Sequence, residues 1–188
     1  PEAQFMSVLD GKIVQVGDLN DIQPKGSYKL DKSFEKYVLM PGLVEGHSHL
    51  FEGALWSKLY CGYFDRQKPD GTISLGVRNV KELVQKLKQE NKTLLDPNAP
   101  LAGWGLDPIY FDDKAIDRKI LDVVSDQRPI GILHASGHKL NINSVGLKLA
   151  GFLRAGINHE GLPLGEDGLP SGEIRGAETI ALVTRHVG

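Results

Sequence analysis

From residue 43 to the end of the chain, short apolar runs rich in β-branched residues alternate with stretches whose apolar residues recur at helical spacing. This alternation is the strongest constraint on the fold, because strands separated by helices predict an α/β architecture. Leu101-Ala102-Gly103-Trp104-Gly105 and residues 129–134 read as buried strands. Val80, Leu83, Val84 and Leu87 mark a helix, with Asn79 as N-cap and Glu82 at the capping-box position. Its Lys81, Lys86, Lys88 and Glu90 read as a solvated face. Asp117 is placed to cap a helix carrying Ile120, Leu121, Val123 and Val124. Asn143 caps another, through Leu147, Leu149 and Ala150, that Gly151 ends. Residues 50–63, around Trp56, read as a loop and a short helix.

The front of the chain has a different texture. Phe5–Leu9 and residues 12–16 flank Asp10-Gly11, a pair that tolerates positive φ at both turn positions, and so predict a β-hairpin. A polar stretch follows, and Tyr37-Val38-Leu39-Met40 reads as a short strand stopped by Pro41. Residues 1–42 therefore read as a β-rich section, and 43–188 as an α/β region.

Across that boundary runs Met40-Pro41-Gly42-Leu43-Val44-Glu45-Gly46-His47-Ser48-His49-Leu50. Residues i and i+2 of a strand share a face, so His47 and His49 are candidates to hold one ion. Imidazole suits borderline divalent metals such as zinc. Of the other histidines, His134 lies inside an apolar strand and reads as a hydrogen-bonded core residue, while His159 and His186 carry no motif.

Composition excludes several classes. The 188 residues are 40% hydrophobic and 24% charged, with net charge −2, so no global field favours nucleic acid or an anionic membrane. No apolar run approaches the ~20 residues that span a bilayer. Cys61 is the one cysteine, reads as a small buried hydrophobe, and points to a reducing, cytoplasmic setting. Asn91-Lys92-Thr93 matches a glycosylation sequon, without a secretory signal to give it meaning. A chain that opens on Pro1 and stops at Gly188 reads as a piece of a larger protein.

The 41–50 string resembles the first barrel strand of the metal-dependent amidohydrolase superfamily, where a His-x-His binds the catalytic metal. Further segments resemble its amidohydrolase 3, or YtcJ-like, branch. These are Gly103-Trp104-Gly105-Leu106-Asp107, then Leu121-Asp122 leading to Arg128-Pro129, then Ser136-Gly137-His138 with Asn143-Ser144, and Gly168-Leu169-Pro170-Ser171-Gly172-Glu173-Ile174. In that branch a glutamate commonly follows the last segment; here Gly176 stands in its place, flanked by Glu173 and Glu178.

The resemblance implies the N-terminal piece of a small β-sandwich domain, followed by the start of a TIM-like (β/α) barrel with an α/β insertion after strand one. The barrel is incomplete, since eight βα units take about 250 residues. It also implies metal ligation by His47, His49 and Glu173, and substrate contacts from His138 and Trp104. The general-base aspartate and further histidines are expected outside this chain. The cofactor is a divalent metal, zinc in the first instance, as one or two ions in the full-length protein. The implied reaction is hydrolysis of non-peptide carbon–nitrogen bonds in amides, formamides or cyclic amides, and the implied partner a small amide-type molecule; a homo-oligomer stays open. Two imidazoles make an incomplete catalytic site, so the isolated chain is expected to be inactive and to bind metal weakly. The alternative is a non-catalytic structural or interaction module built on the same fold.

Overall fold

Asp10 and Gly11 both adopt positive φ, 50° and 75°, and join β1 (Phe5–Leu9) to β2 (Lys12–Gly17) as an antiparallel hairpin. The computed structural model describes residues 3–22, 26–46, 52–111 and 116–188, and the chain divides into two units, Pro1–Ser48 and His49–Gly188. In the first unit Val8, Ile13, Val14 and Val16 are all more than half exposed. Ile13 and Val14 are neighbours on one strand, so apolar side chains face solvent on both sides of the hairpin.

Residues 37–40, expected as a strand, form none, and Val38 is 94% exposed. Strand propensity expresses itself through pairing and packing against neighbours, and no described strand lies against this segment. Residues 43–46 likewise lack regular structure. His47 and His49 lie outside the described residues.

The second unit opens with α1 (Glu52–Leu55), β3 (Leu59–Tyr60) and a small hairpin of β4 (Arg66–Gln67) and β5 (Ile73–Ser74). Helix α2 (Val80–Thr93) begins as the sequence predicts. Asn79 Oδ1 accepts from Glu82 N, while the Glu82 carboxylate accepts from Arg78 N and Asn79 Nδ2. Then come β6 (Leu101–Leu106), a 3-10 turn (Pro108–Tyr110), α3 (Arg118–Asp122) and β7 (Ile130–His134). The chain closes with β8 (Lys139–Ile142), α4 (Ser144–Leu149), β9 (Glu173–Arg175) and α5 (Ala177–Val187). Asp117 and Asn143 cap α3 and α4 as expected, and Gly151 follows α4 with φ 76°. Helix α3 stops at Asp122, leaving Val123 exposed beyond it.

Five strands form one open sheet in the order β3-β6-β7-β8-β9. The first three are parallel, with α2 and α3 as crossovers, and β8 and β9 add antiparallel to β7. Successive side chains of β7 serve opposite faces. Ile130 and Ile132 join Leu83, Leu87 and Leu121 in one apolar cluster. Leu133 packs on a second cluster, built from Leu140, Ile142, Leu147, Ile174, Val183 and Val187. Between them Gly131 has no side chain, and Val187 of α5 occupies the space, 2.7 Å from where a Cβ would stand.

Three polar side chains tie the strand ends to the helices. Asn143 Oδ1 accepts from Ile130 N and Gly146 N, while Nδ2 donates to Ser125 O and Arg128 O. The Asp122 carboxylate accepts from both Ser144 N and Ser144 Oγ, linking α3 to α4. Arg128 donates to Leu94 O, Asp96 O, Ala99 O and Asn91 Oδ1, fastening the loop between α2 and β6. This bond engages the Asn91 amide within the fold rather than leaving it free on the surface. Burial holds the Cys61 thiol inert, pushed up to about 12.

Replacing Asn143 by Ala strands two buried N–H groups and two carbonyls, so it should lower unfolding free energy by about 3 kcal/mol. Asp126→Ala, at an exposed turn, should change it by less than about 0.5 kcal/mol. Urea unfolding of the two variants measures both, and equal effects would contradict the fastening role of Asn143.

Candidate functional site

Parallel strands run their carboxyl ends to one edge of the sheet, where α/β proteins form ligand crevices. Here β3, β6 and β7 end at Tyr60, Leu106 and His134, and a cleft of about 340 Å³ opens beside them. Its lining combines Tyr60, Tyr63, Trp104 and Tyr110 with Glu52, Arg66, Asp107 and His134.

The aromatic wall is built by strand pairing. Tyr60 and Trp104 are register partners on β3 and β6, with ring centroids 5.1 Å apart, and Trp56 meets the Trp104 edge at 5.0 Å. Tyr63 stacks on Tyr110 at 4.7 Å. Tyr60 Oη donates to Phe64 O, and burial raises its phenol above the usual range. Gly105 interrupts β6 at a register shift with φ 87°, and a Cβ there would stand 2.8 Å from the Tyr60 ring. Lys86, expected on a solvated face, reaches back to donate to Leu75 O with its ammonium over the Tyr60 ring.

Polar groups complete the floor and rim. Arg66 lies over Trp104 at 5.9 Å and pairs loosely with Glu52 at 4.0 Å. Asp107 caps the 3-10 turn by accepting from Ile109 N. His134, 6% exposed at the end of β7, bonds through Nε2 to Asn141 Oδ1 on β8, and Asn141 Nδ2 donates to Ile116 O. Burial holds the His134 imidazole below its ordinary value of 6.5, against opposing contributions from the Asn141 bond and the Glu173 charge.

The expected site residues separate in space. Trp104 lines the cleft and is 3% exposed, and among the described residues its Nε1 has no hydrogen-bond partner. His138 is exposed in the turn between β7 and β8; its neighbour Gly137 lines the cleft, and its own backbone carbonyl accepts from Gly176 N. Glu173 sits on β9, where Arg175 at 2.5 Å and Lys139 at 3.4 Å pair with its carboxylate and hold it below the usual carboxylate range against the cost of burial. Glu178 lies in the first turn of α5. Among the described residues no group of three or more His, Cys, Asp or Glu gathers closely enough to hold a metal ion. Sequence reasoning missed His134 as a cleft residue; the available signal was its place at the carboxyl end of a parallel strand.

A family model described as "Amidohydrolase family" matches residues 36–184, most of the chain. The chain belongs to the amidohydrolase family. As an amidohydrolase it is 26% identical over 154 residues to Protein LONG AFTER FAR-RED 3 of Arabidopsis thaliana, a match covering 81% of this chain and 24% of the relative. The chain thus spans about a quarter of that relative's length. Two solved structures, each an uncharacterized metal-dependent hydrolase, show some similarity to this chain. That from Pyrococcus horikoshii OT3 has TM-score 0.49 and 18% identity, and that from Pyrococcus furiosus 0.48 and 16%. Each covers 96% of this chain, which corresponds to 31% and 32% of theirs. Among the described residues no helix is long and apolar enough to cross a membrane.

Because the folded state disfavours the His134 cation, the unfolded chain takes up the proton first on acidification, and stability falls as pH drops through 6.5 toward the depressed folded value. Urea unfolding between about pH 7.5 and about pH 5.5 should show this loss, and His134→Gln should reduce it. An unchanged pH dependence in the variant would contradict the buried neutral imidazole.

Proposed function

We propose that this chain is the N-terminal part of a metal-dependent hydrolase that cleaves carbon–nitrogen bonds other than peptide bonds, in amides, formamides or cyclic amides. The observation that carries the reading is the amidohydrolase match across residues 36–184, joined to a cleft at the carboxyl ends of β3, β6 and β7. In this reading residues 1–42 belong to a small β domain and residues 43–188 supply the first strand of a TIM-like barrel with the five-stranded sheet as its insertion. The exposed Val8, Ile13, Val14 and Val16 support the β-domain part, since a lone two-stranded hairpin is marginally stable in water and gains by being covered.

His47 and His49 would hold a divalent ion, zinc in the first instance, together with residues from the rest of the full-length protein. When bound, such an ion supplies an acidified water and polarises a carbonyl. Glu173 is a weaker third ligand than the motif implies, because Arg175 and Lys139 already neutralise its carboxylate. The aromatic cleft around Trp104 takes the small amide-type substrate; the expected compartment is the cytoplasm. In this reading the general base comes from the rest of the full-length protein, and the isolated chain turns nothing over.

The full-length protein, assayed on a panel of simple amides, formamides and cyclic amides, should hydrolyse at least one. Chelation should abolish turnover and zinc restore it, while His47→Ala and His49→Ala should each lower kcat/KM on the order of a hundredfold or more. Turnover indifferent to chelator and to both substitutions, or no turnover across the panel, would overturn this reading.

A further inference from the structure

Asn141 determines which nitrogen of His134 carries the proton. Its Nδ2 donates to Ile116 O at 2.5 Å, so the carboxamide can present only Oδ1 to the imidazole. An oxygen acceptor at Nε2 requires Nε2–H, and in the neutral ring this leaves Nδ1 as an acceptor. Among the described residues none donates to Nδ1. His134 is 6% exposed and lines the cleft together with Tyr60, Trp104 and Tyr110. Nδ1 is therefore an open acceptor, and a ligand N–H arriving there would meet it.

The surroundings narrow the ligand further. Tyr60, Trp104 and Tyr110 give the cleft an aromatic lining that suits an aromatic ring. Glu52 and Asp107 outnumber Arg66, which pairs with Glu52, so the rim disfavours a carboxylate, and an uncharged amide already carries the N–H that Nδ1 can accept. We infer that His134 is the acceptor that orients an uncharged aromatic amide in this cleft, its Nδ1 taking the amide N–H while the ligand's ring packs on Tyr60, Trp104 and Tyr110. Asn141 is then a positioning residue, acting through the tautomer it imposes. The inference rests on taking the cleft as a substrate-binding surface, and it concerns binding and orientation, with no role for His134 in bond cleavage.

Phenylacetamide and N,N-dimethylphenylacetamide share a ring and a carbonyl, but only the first has an N–H. Calorimetry on the full chain should find phenylacetamide bound about five- to tenfold more tightly, the share expected of one hydrogen bond, and His134→Phe should equalise the two. Nitrogen NMR of histidine-labelled wild-type chain covers the case in which His134→Phe does not fold. The His134 Nδ1 signal should be that of an unprotonated ring nitrogen and should shift with phenylacetamide but not with its dimethyl analogue. Equal affinities or no binding of either probe in the wild type, discrimination that survives His134→Phe, or a protonated Nδ1 would each overturn the proposal. These readouts need neither metal nor turnover. A full-length protein that hydrolyses no amide while its Nδ1 signal still responds would therefore defeat the hydrolase reading and leave His134 as the acceptor.

Discussion

The side-chain amide of Asn143 holds together parts of the chain that otherwise have no reason to meet. One carboxamide satisfies the first N–H of β7, a free N–H at the start of α4 and two carbonyls of the 125–128 turn. All four of its hydrogen-bonding capacities toward the backbone are used, in a place where water cannot substitute. Asp122, bonded twice to the adjacent Ser144, sets α3 against α4 beside it, and Arg128 in the same turn pins the approach to β6. With β6 and β7 aligned in this way, β8 folds back as a hairpin partner and places Asn141 beside His134. The cleft depends on that chain of supports.

Several of the family-like segments take part in this fastening. The Leu121-Asp122, Arg128-Pro129 and Asn143-Ser144 elements are parts of one fastener, separated in sequence and adjacent in space. Gly103-Trp104-Gly105 is packing of another kind. Gly103 leaves room for Cys61, and Gly105 takes a positive φ and leaves room for the Tyr60 ring, so that Trp104 can stand in the aromatic wall. These resembling segments thus help to shape the sheet.

Much of the fold was legible because the signals are local. Asp10-Gly11 gives the hairpin, and Asn79, Asp117 and Asn143 open their helices with side chains that accept from the third residue on. The apolar runs at 101–106 and 130–134 become the central strands. What sequence reading lost depended on partners. Residues 37–40 have strand composition and no strand beside them, whereas β3 and β9, two and three residues long, exist only because β6 and β8 present open edges. Glu173 looked available for a metal until the fold set Arg175 and Lys139 against it. His134 looked like core because its value comes from Asn141, seven residues away across a turn, and from the cleft its strand end meets. His47 and His49 lie outside the described residues and enter only through their motif.

Native-state hydrogen exchange on the backbone amides of Ile130, Ser144 and Gly146 tests the fastening most directly, because each N–H is held by a side chain of Asn143 or Asp122 rather than by a ladder or helix bond. All three should exchange as slowly as the central β7 amide of Ile132, opening only with the whole sheet. Fast exchange at these three amides, with Ile132 still protected, would contradict the view that the Asn143 and Asp122 side chains hold the sheet and its cleft together.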